Sequence, residues 1–269
     1  MKIDFHLHTR ASFDCESDPA AIAEWAVKKG LNGLVVTEHD TTSGYGDLKT
    51  EAGKCGLQVI PGMEYTVFRG THYLIYLTPE LPLPTDDLKM ILEVHRRGGL
   101  VGLPHPYRSD TGLIYNQMEL KLYDESEVTE ILSQVDMIEV FNAKSSAQEN
   151  SRAAILAQKL PHLSKIAGSD SHHPSTVGAA HTEIPGFRFS TMPEMRHQLK
   201  TLPARIITLP ELNETNINKN LKSAAEGIRR LMVKIKPAIP KPIWNSGKSI
   251  YRNLTNRLAE KRAGKSTVK

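Results

Sequence analysis

Short apolar and β-branched runs alternate with helix-periodic stretches over residues 1–210 of the chain. Runs of strand type fall at residues 2–6, 33–37, 58–61, 72–77, 100–103, 137–141, 165–167 and 205–209. Helix-type patterns occupy 18–29, 85–97, 126–134, 148–159 and 192–199. The first helix carries its own start and stop: Asp18 caps it, Pro19 suits the first helical position, and Gly30 ends it. Strands alternating with helices in this order, with one hairpin inserted, predict a parallel sheet or a (β/α) barrel. No internal repeat or low-complexity tract interrupts the pattern.

Composition changes this picture mainly at the C-terminus. The 269 residues hold 34 Lys and Arg against 30 Asp and Glu, with 39% hydrophobic residues, a balance that supports a soluble domain with a full core. That balance conceals an asymmetry. Residues 214–269 contain 14 basic and 3 acidic side chains, whereas residues 1–213 contain 20 and 27. The shift predicts a boundary near Leu212, with a barrel over 1–212 and a basic tail over 213–269. No run approaches the roughly 20 apolar residues of a membrane span. The opening MKIDFHLHTR lacks the apolar stretch of a signal peptide, so a cytoplasmic location is expected. With only Cys15 and Cys55, a disulfide framework is excluded, and Cys15 is read as a reduced structural thiol.

Candidate chemistry gathers where the predicted strands end. His6 and His8 close the first strand, and in an extended chain side chains two apart point to the same side, so both imidazoles face one point. Asp14 lies in the loop that follows. Glu38, His39 and Asp40 close the second strand, and Glu64 comes after the third. His72 lies across a turn at Arg69-Gly70. His105 ends the fifth strand, and Asp170 and His172 end the seventh. Each has a plain structural reading alone: Asp14 can shape a turn, Asp40 can cap a helix, and an HxH pair can be surface polarity. Their joint placement at strand ends, where barrel enzymes keep their active sites, points instead to a metal centre. His95, His162 and His197 read as solvated side chains, while His173 and His181 are left open.

Taken in order, HLHTRASFD, TEHDT, PGMEYT, LPHPYR, IEVFNA and AGSDSHH resemble the successive motifs of the PHP (polymerase and histidinol phosphatase) family over residues 2–182. Members of that family are metal-dependent phosphoesterases built on a distorted (β/α)7 TIM-like barrel. The resemblance implies two or three divalent ions. One would be held by His6, His8, Glu64 and Asp170, a second by Glu64, His72 and His105, and a third by Asp14, His39 and His172, with Glu64 bridging two of them. Where many members read TDHDT, this chain has TEHDT, and Glu38 keeps the charge.

Nitrogen and oxygen ligands without cysteine suit Mn²⁺, Fe²⁺ or Zn²⁺. Paired ions of this kind lower the pKa of a bridging water and neutralise a phosphoryl group in an in-line displacement, so no side-chain nucleophile is required. Ser12, Ser169 and Ser171 therefore read as loop or supporting residues. Arg108, and with it Arg10, are candidate phosphate clamps, with surface charges as the alternative. The segment 108–123 is a candidate lid. The expected activity is hydrolysis of a phosphate ester by a metal-bridging hydroxide, on a small molecule or a nucleotide monoester, because an acidic body repels a long polyanion. The alternative is a nuclease, or a scaffold whose tail binds nucleic acid or an anionic membrane. In that tail Ile217, Leu221, Ala225, Ile228, Met232 and Ile235 recur at helical spacing, an amphipathic pattern that equally suits docking on the barrel.

Overall fold

In the computed structural model, which describes residues 1–76 and 82–208, the alternation of strand and helix patterns resolves into one curved sheet with helices around it. The elements begin with β1 (Lys2–Leu7), α1 (Pro19–Lys28), β2 (Gly33–His39), α2 (Tyr45–Lys54), β3 (Gln58–Thr66) and β4 (His72–Tyr76). They continue with α3 (Asp87–Arg96), β5 (Leu100–Leu103), α4 (Leu113–Met118), α5 (Glu125–Gln134), β6 (Met137–Asn142) and α6 (Ala147–Gln158). The described chain ends through β7 (Ser164–Gly168), β8 (Ala180–Glu183), α7 (Met192–Thr201) and β9 (Arg205–Thr208). The sheet order is β7-β6-β5-β4-β3-β2-β1-β8-β9.

Strands β1 to β3 run parallel, as do β5 to β7, and β4 is antiparallel to both of its neighbours. Parallel neighbours need a crossover, which the helices supply, whereas β3 and β4 are joined by a tight turn. Gly70 makes that turn possible at φ +81°, with its N–H donating to the Val67 carbonyl at 2.9 Å. The resulting register sets Glu64 opposite Leu74 and Thr66 opposite His72.

The sheet curls until its β7 end meets β1. The Asp170 N–H donates to the His6 carbonyl (2.7 Å) and the His8 N–H to the Ser171 carbonyl (3.0 Å), while Lys2 and Ile3 pair with β8. One edge of β1 is thus shared by two segments, which nearly closes a barrel. The seam is tight: a Cβ on Gly168 would stand 2.3 Å from the His6 Cβ and 2.8 Å from the His6 nitrogen.

Alternation along the strands sorts side chains into a dry floor and a polar upper layer. Ile3, Phe5, Val35, Ile60, Leu74, Tyr76, Leu100, Met137 and Ile166 fill the interior, and Met195 and Leu199 of α7 close it from below. Each such side chain stabilises the fold by roughly 1.5–3 kcal/mol. Two to four residues further toward the open end, the same inward positions give way to polar groups, as in Val35–Thr37–His39 and, past Gly62, Ile60–Gly62–Glu64. Because β4 runs the other way, its open end is its first residue, His72. Outward positions pack on helices, with Leu34 and Val36 against Ile22 of α1 and Leu48 of α2, and Ile75 and Val101 in a cluster with Ile91 of α3.

Several elements depart from the sequence expectation. Helix α2 has no counterpart in the predicted pattern: its N-cap is Gly44, without a side-chain cap, and only Leu48 and Ala52 on it are buried. Helix α4 likewise starts at an uncapped Gly112. It occupies the segment expected as a lid, which packs inward through Leu113, Asn116 and Tyr123. Strand β8 was not anticipated. β3 extends to Thr66, so Glu64 lies within the strand and not after it. Leu77, Leu209, the boundary near Leu212 and the tail of 213–269 lie outside the described residues. Among the described residues no helix is long and apolar enough to cross a membrane.

Candidate metal centre

Nine ligand-type side chains from seven segments meet above the apolar floor. From β1 and its end come His6 and His8, both buried, with their Nε2 atoms 3.3 Å apart. Strand β3 sends up Glu64, whose two oxygens face different partners. Oε2 lies 3.1 Å from His39 Nδ1, 3.4 Å from His8 Nε2 and 3.5 Å from His6 Nε2. Oε1 lies 2.6 Å from His72 Nδ1 and 2.8 Å from His105 Nε2. A carboxylate shared in this way sits between two sets of imidazoles.

Two further carboxylates complete the group. Asp170 Oδ1 is 3.4 Å from His8 Nε2 and 3.8 Å from His6 Nε2. Asp14 Oδ2 is 3.0 Å from His172 Nε2 and 3.2 Å from His39 Nε2. Ligand atoms lie within 4.8 Å of one another in four sets: His8, Asp14, His39 and His172; His6, Glu64 and His105; His6, His8 and Asp170; and His39, Glu64 and His72. These overlap the three sets that the motifs imply, with His8 drawn toward the Asp14 group and His39 toward Glu64.

The donor chemistry fits divalent cations. Asp14 Oδ1 is buried without a hydrogen-bond partner among the described residues, and a buried polar atom left so is costly unless something else binds it. Burial alone would raise the carboxyls of Glu64, Asp14 and Asp170, yet His72, His39 and His6 hold Glu64 well below the usual carboxylate range. His172 and His39 do the same for Asp14, as do Lys144, His6 and Arg108 for Asp170. Burial depresses His105 to about 3, with Arg108 adding to the effect, so its ring is neutral and able to donate a lone pair. Burial, His172 and His39 likewise hold His8 well below the ordinary histidine range.

A surrounding shell, much of it not singled out in the sequence, fixes these rings. Glu139 of β6 places Oε1 3.2 Å from His6 Nδ1, and its Oε2 accepts from the His105 N–H (2.8 Å) and Asn142 Nδ2 (2.9 Å). Ser12 Oγ lies 3.0 Å from His8 Nδ1 and accepts from the His39 N–H at 3.1 Å. Glu38 projects from the opposite face of β2 to His39. It accepts from the Thr9 N–H at 3.1 Å and from the hydroxyls of Thr9 and Ser12, and burial pushes its carboxyl up to about 7. Asp4, which lines the seam, takes the Ser169 hydroxyl at 2.5 Å and the Gly178 N–H at 2.8 Å. The signal for Glu139 was a lone carboxylate inside the apolar strand IEVFN.

The two arginines part company. Arg108 is 15% exposed and donates to Asp170 Oδ2 (2.6 Å), Asn142 Oδ1 (2.7 Å) and Ser145 Oγ (3.2 Å). Arg10 is half exposed and pairs with Asp18 at 2.5 Å and Asp47 at 3.8 Å, which are surface residues outside the cluster. Of the histidines read as solvated, His95 instead pairs with Asp136 at 2.8 Å and His162 Nε2 reaches the Leu132 carbonyl at 3.0 Å, while His197 is exposed. His173 caps a short 3₁₀ turn, and His181 is buried beside the Gly178 carbonyl.

Comparison with known proteins agrees with this architecture. An uncharacterized protein of Methanocaldococcus jannaschii is 28% identical over 153 residues, covering 53% of this chain and 82% of that protein. The 5'-3' exoribonuclease Rnm of Escherichia coli is 35% identical over 71 residues, covering 26% of this chain and 24% of that protein. A solved structure from Bifidobacterium adolescentis, assigned as a metal-dependent phosphoesterase, superposes with a TM-score of 0.52 at 17% identity, covering 73% of this chain and 95% of that one. Residues 4–261 match the PHP domain, and the chain belongs to the PHP family.

Proposed function

We propose that the chain is a metal-dependent phosphoesterase that holds two or three divalent ions of the Mn²⁺, Fe²⁺ or Zn²⁺ type and hydrolyses a phosphate ester. The observation that carries this reading is the division of Glu64, with Oε2 turned to His6, His8 and His39 and Oε1 to His72 and His105. His6, His8, Glu64 and Asp170 would hold one ion, Glu64, His72 and His105 a second, and Asp14, His39 and His172 a third. Bound ions would supply Lewis-acid charge and a water of lowered pKa.

The chain's own residues do the rest. Glu139 and Ser12 orient the rings of His6 and His8, and Arg108 holds Asp170 in place. The floor of Ile60, Leu74 and Met137 keeps solvent from entering below. Side-chain nucleophiles are committed elsewhere: Ser12 donates to Glu38, Ser169 donates to Asp4, and burial pushes the Cys15 thiol up to about 12. In this reading water is the attacking group, with no covalent intermediate on Ser12, Ser169 or Cys15.

A phosphomonoester of a small molecule or nucleotide suits the acidic described body best. The similarity to an exoribonuclease over 71 residues supports phosphodiester cleavage as the second reading. The test is a screen of purified, metal-loaded protein on nucleotides, sugar phosphates, histidinol phosphate and short RNA, with His8→Ala as the inactive control. Release of phosphate or nucleotide only by the wild type is expected. No cleavage with Mn²⁺, Fe²⁺ or Zn²⁺ overturns the reading.

A further inference from the structure

We infer that Lys144 is the cation that grips the phosphoryl oxygens of the substrate at the mouth of the centre, an assignment that rests on the phosphoesterase reading. Of the cations weighed from the sequence, neither is placed for this task. Arg108 is largely buried and spends its guanidinium on Asp170, Asn142 and Ser145, which makes it a positioning residue for Asp170. Arg10 is turned toward Asp18 and Asp47.

Lys144 is placed differently. It follows the C-terminal end of β6 in a short turn closed by the Ser145 N–H on the Asn142 carbonyl at 3.1 Å. Its own N–H donates to Asn142 Oδ1 at 2.9 Å. The Nδ2 of the same Asn142 donates to Glu139 Oε2 (2.9 Å) and Asp170 Oδ2 (3.2 Å), so the backbone of Lys144 is tied directly to the shell of the centre. The side chain is 44% exposed, yet its Nζ lies 3.0 Å from His172 Nδ1 and 3.7 Å from Asp170 Oδ1. It therefore reaches across the rim from solvent toward two of the ligand-type residues.

Chemistry favours a phosphoryl group as the occupant. A lysine on a flexible stem acts as a mobile point charge with three donors, able to follow an oxyanion that arrives from solvent. Lys144 faces Asp170 Oδ1 at 3.7 Å and helps hold that carboxyl below its usual range, and its half-exposed stem lets the same ammonium answer charge entering from above. A neutral substrate gains nothing from it. A phosphoryl group gains one or two charge-assisted hydrogen bonds.

The test compares wild type, Lys144→Ala, Lys144→Arg and the remote surface control Lys200→Ala, all metal-loaded. Affinity for inorganic phosphate is measured by equilibrium dialysis, and KM and kcat are measured on the best phosphoester from the screen. Lys144→Ala is expected to weaken phosphate binding and raise KM by about tenfold or more, the loss of one charge-assisted contact. Metal content and thermal midpoint should stay at wild-type values, and Lys144→Arg should recover most of the affinity. Lys200→Ala should match wild type throughout. Unchanged phosphate affinity in Lys144→Ala overturns the assignment, and so does loss of metal from that variant, which would make Lys144 a structural residue. If the wild type cleaves no phosphoester while Lys144→Ala still loses phosphate affinity, the phosphoesterase reading falls and the anion-binding role of Lys144 stands.

Discussion

Glu139 Oε1 lies 3.2 Å from the Nδ1 of His6, with both side chains buried away from solvent. With Nδ1–H donating to this carboxylate, Nε2 of His6 faces His8 and Glu64, where it would offer its lone pair to an ion in exchange for a proton. Outer partners of this kind set ligand orientation and basicity, and their loss typically costs about 10–100-fold in metal affinity. Glu139→Gln should therefore weaken metal binding by that order while leaving the fold intact, as read by competition with a chromophoric chelator and by urea unfolding. Wild-type metal affinity in this variant would refute the role.

The barrel seam depends on the missing side chain of Gly168. A methyl group there meets the His6 Cβ at 2.3 Å, the Glu139 Oε1 at 2.8 Å and the His6 nitrogen at 2.8 Å, and two of these three cannot move without shifting β1. Overpacking of this kind costs about 1–3 kcal/mol. Gly168→Ala should lose about that much stability in chemical denaturation and should also bind metal less tightly, because the strand it displaces carries His6.

Asp87 offers a pH-dependent test away from the centre. Burial raises its carboxyl above the ordinary range, although Tyr73 (2.7 Å) and Tyr123 (2.8 Å) donate to its Oδ1 and oppose the shift. The folded group keeps a proton that the unfolded chain has released, so stability falls as pH rises from the unfolded carboxylate value of about 4 toward the folded one. Asp87→Asn keeps an acceptor for both hydroxyls and removes the titration. Urea midpoints measured across this range should slope less in the variant than in the wild type.

Thiol reactivity should divide the two cysteines. Cys15 is buried and its thiol is pushed up to about 12 by that burial, whereas Cys55 is exposed. A disulfide reagent at about pH 8, near the ordinary thiol pKa, should titrate one thiol rapidly in the native protein and the second only in denaturant. Rapid reaction of both would contradict the packing around Asp14.

Much of the centre was legible because strand geometry is local. His6 and His8 two residues apart, His39 and Glu64 at the far ends of apolar runs, and Asp170 after KIAG all follow from the period of two and from the tendency of barrels to place chemistry at strand ends. Glu139, Asn142 and Lys144 were less visible. Nothing within their own segment indicates that Asn142 would join Glu139 to Asp170, or that Lys144 would swing toward His172, since Asp170 and His172 come from the loop after β7. Arg108, close after His105, and Arg10 were both candidate clamps in the sequence. Only their neighbours, Asp18 and Asp47 for one and Asp170 and Asn142 for the other, separate them.

By itself the order of residues determined every described strand but β8, which of their faces are apolar, and that imidazoles and carboxylates cluster at strand ends, because these depend on periodicities only a few residues long. Tertiary structure decided the rest. It set β4 antiparallel so that its first residue, His72, reaches Glu64, and it closed β7 onto β1 through a glycine without room for a methyl group. It also divided the two oxygens of Glu64 between separate sets of rings. Those outcomes depend on contacts between residues far apart in the chain, whose distances no local pattern encodes.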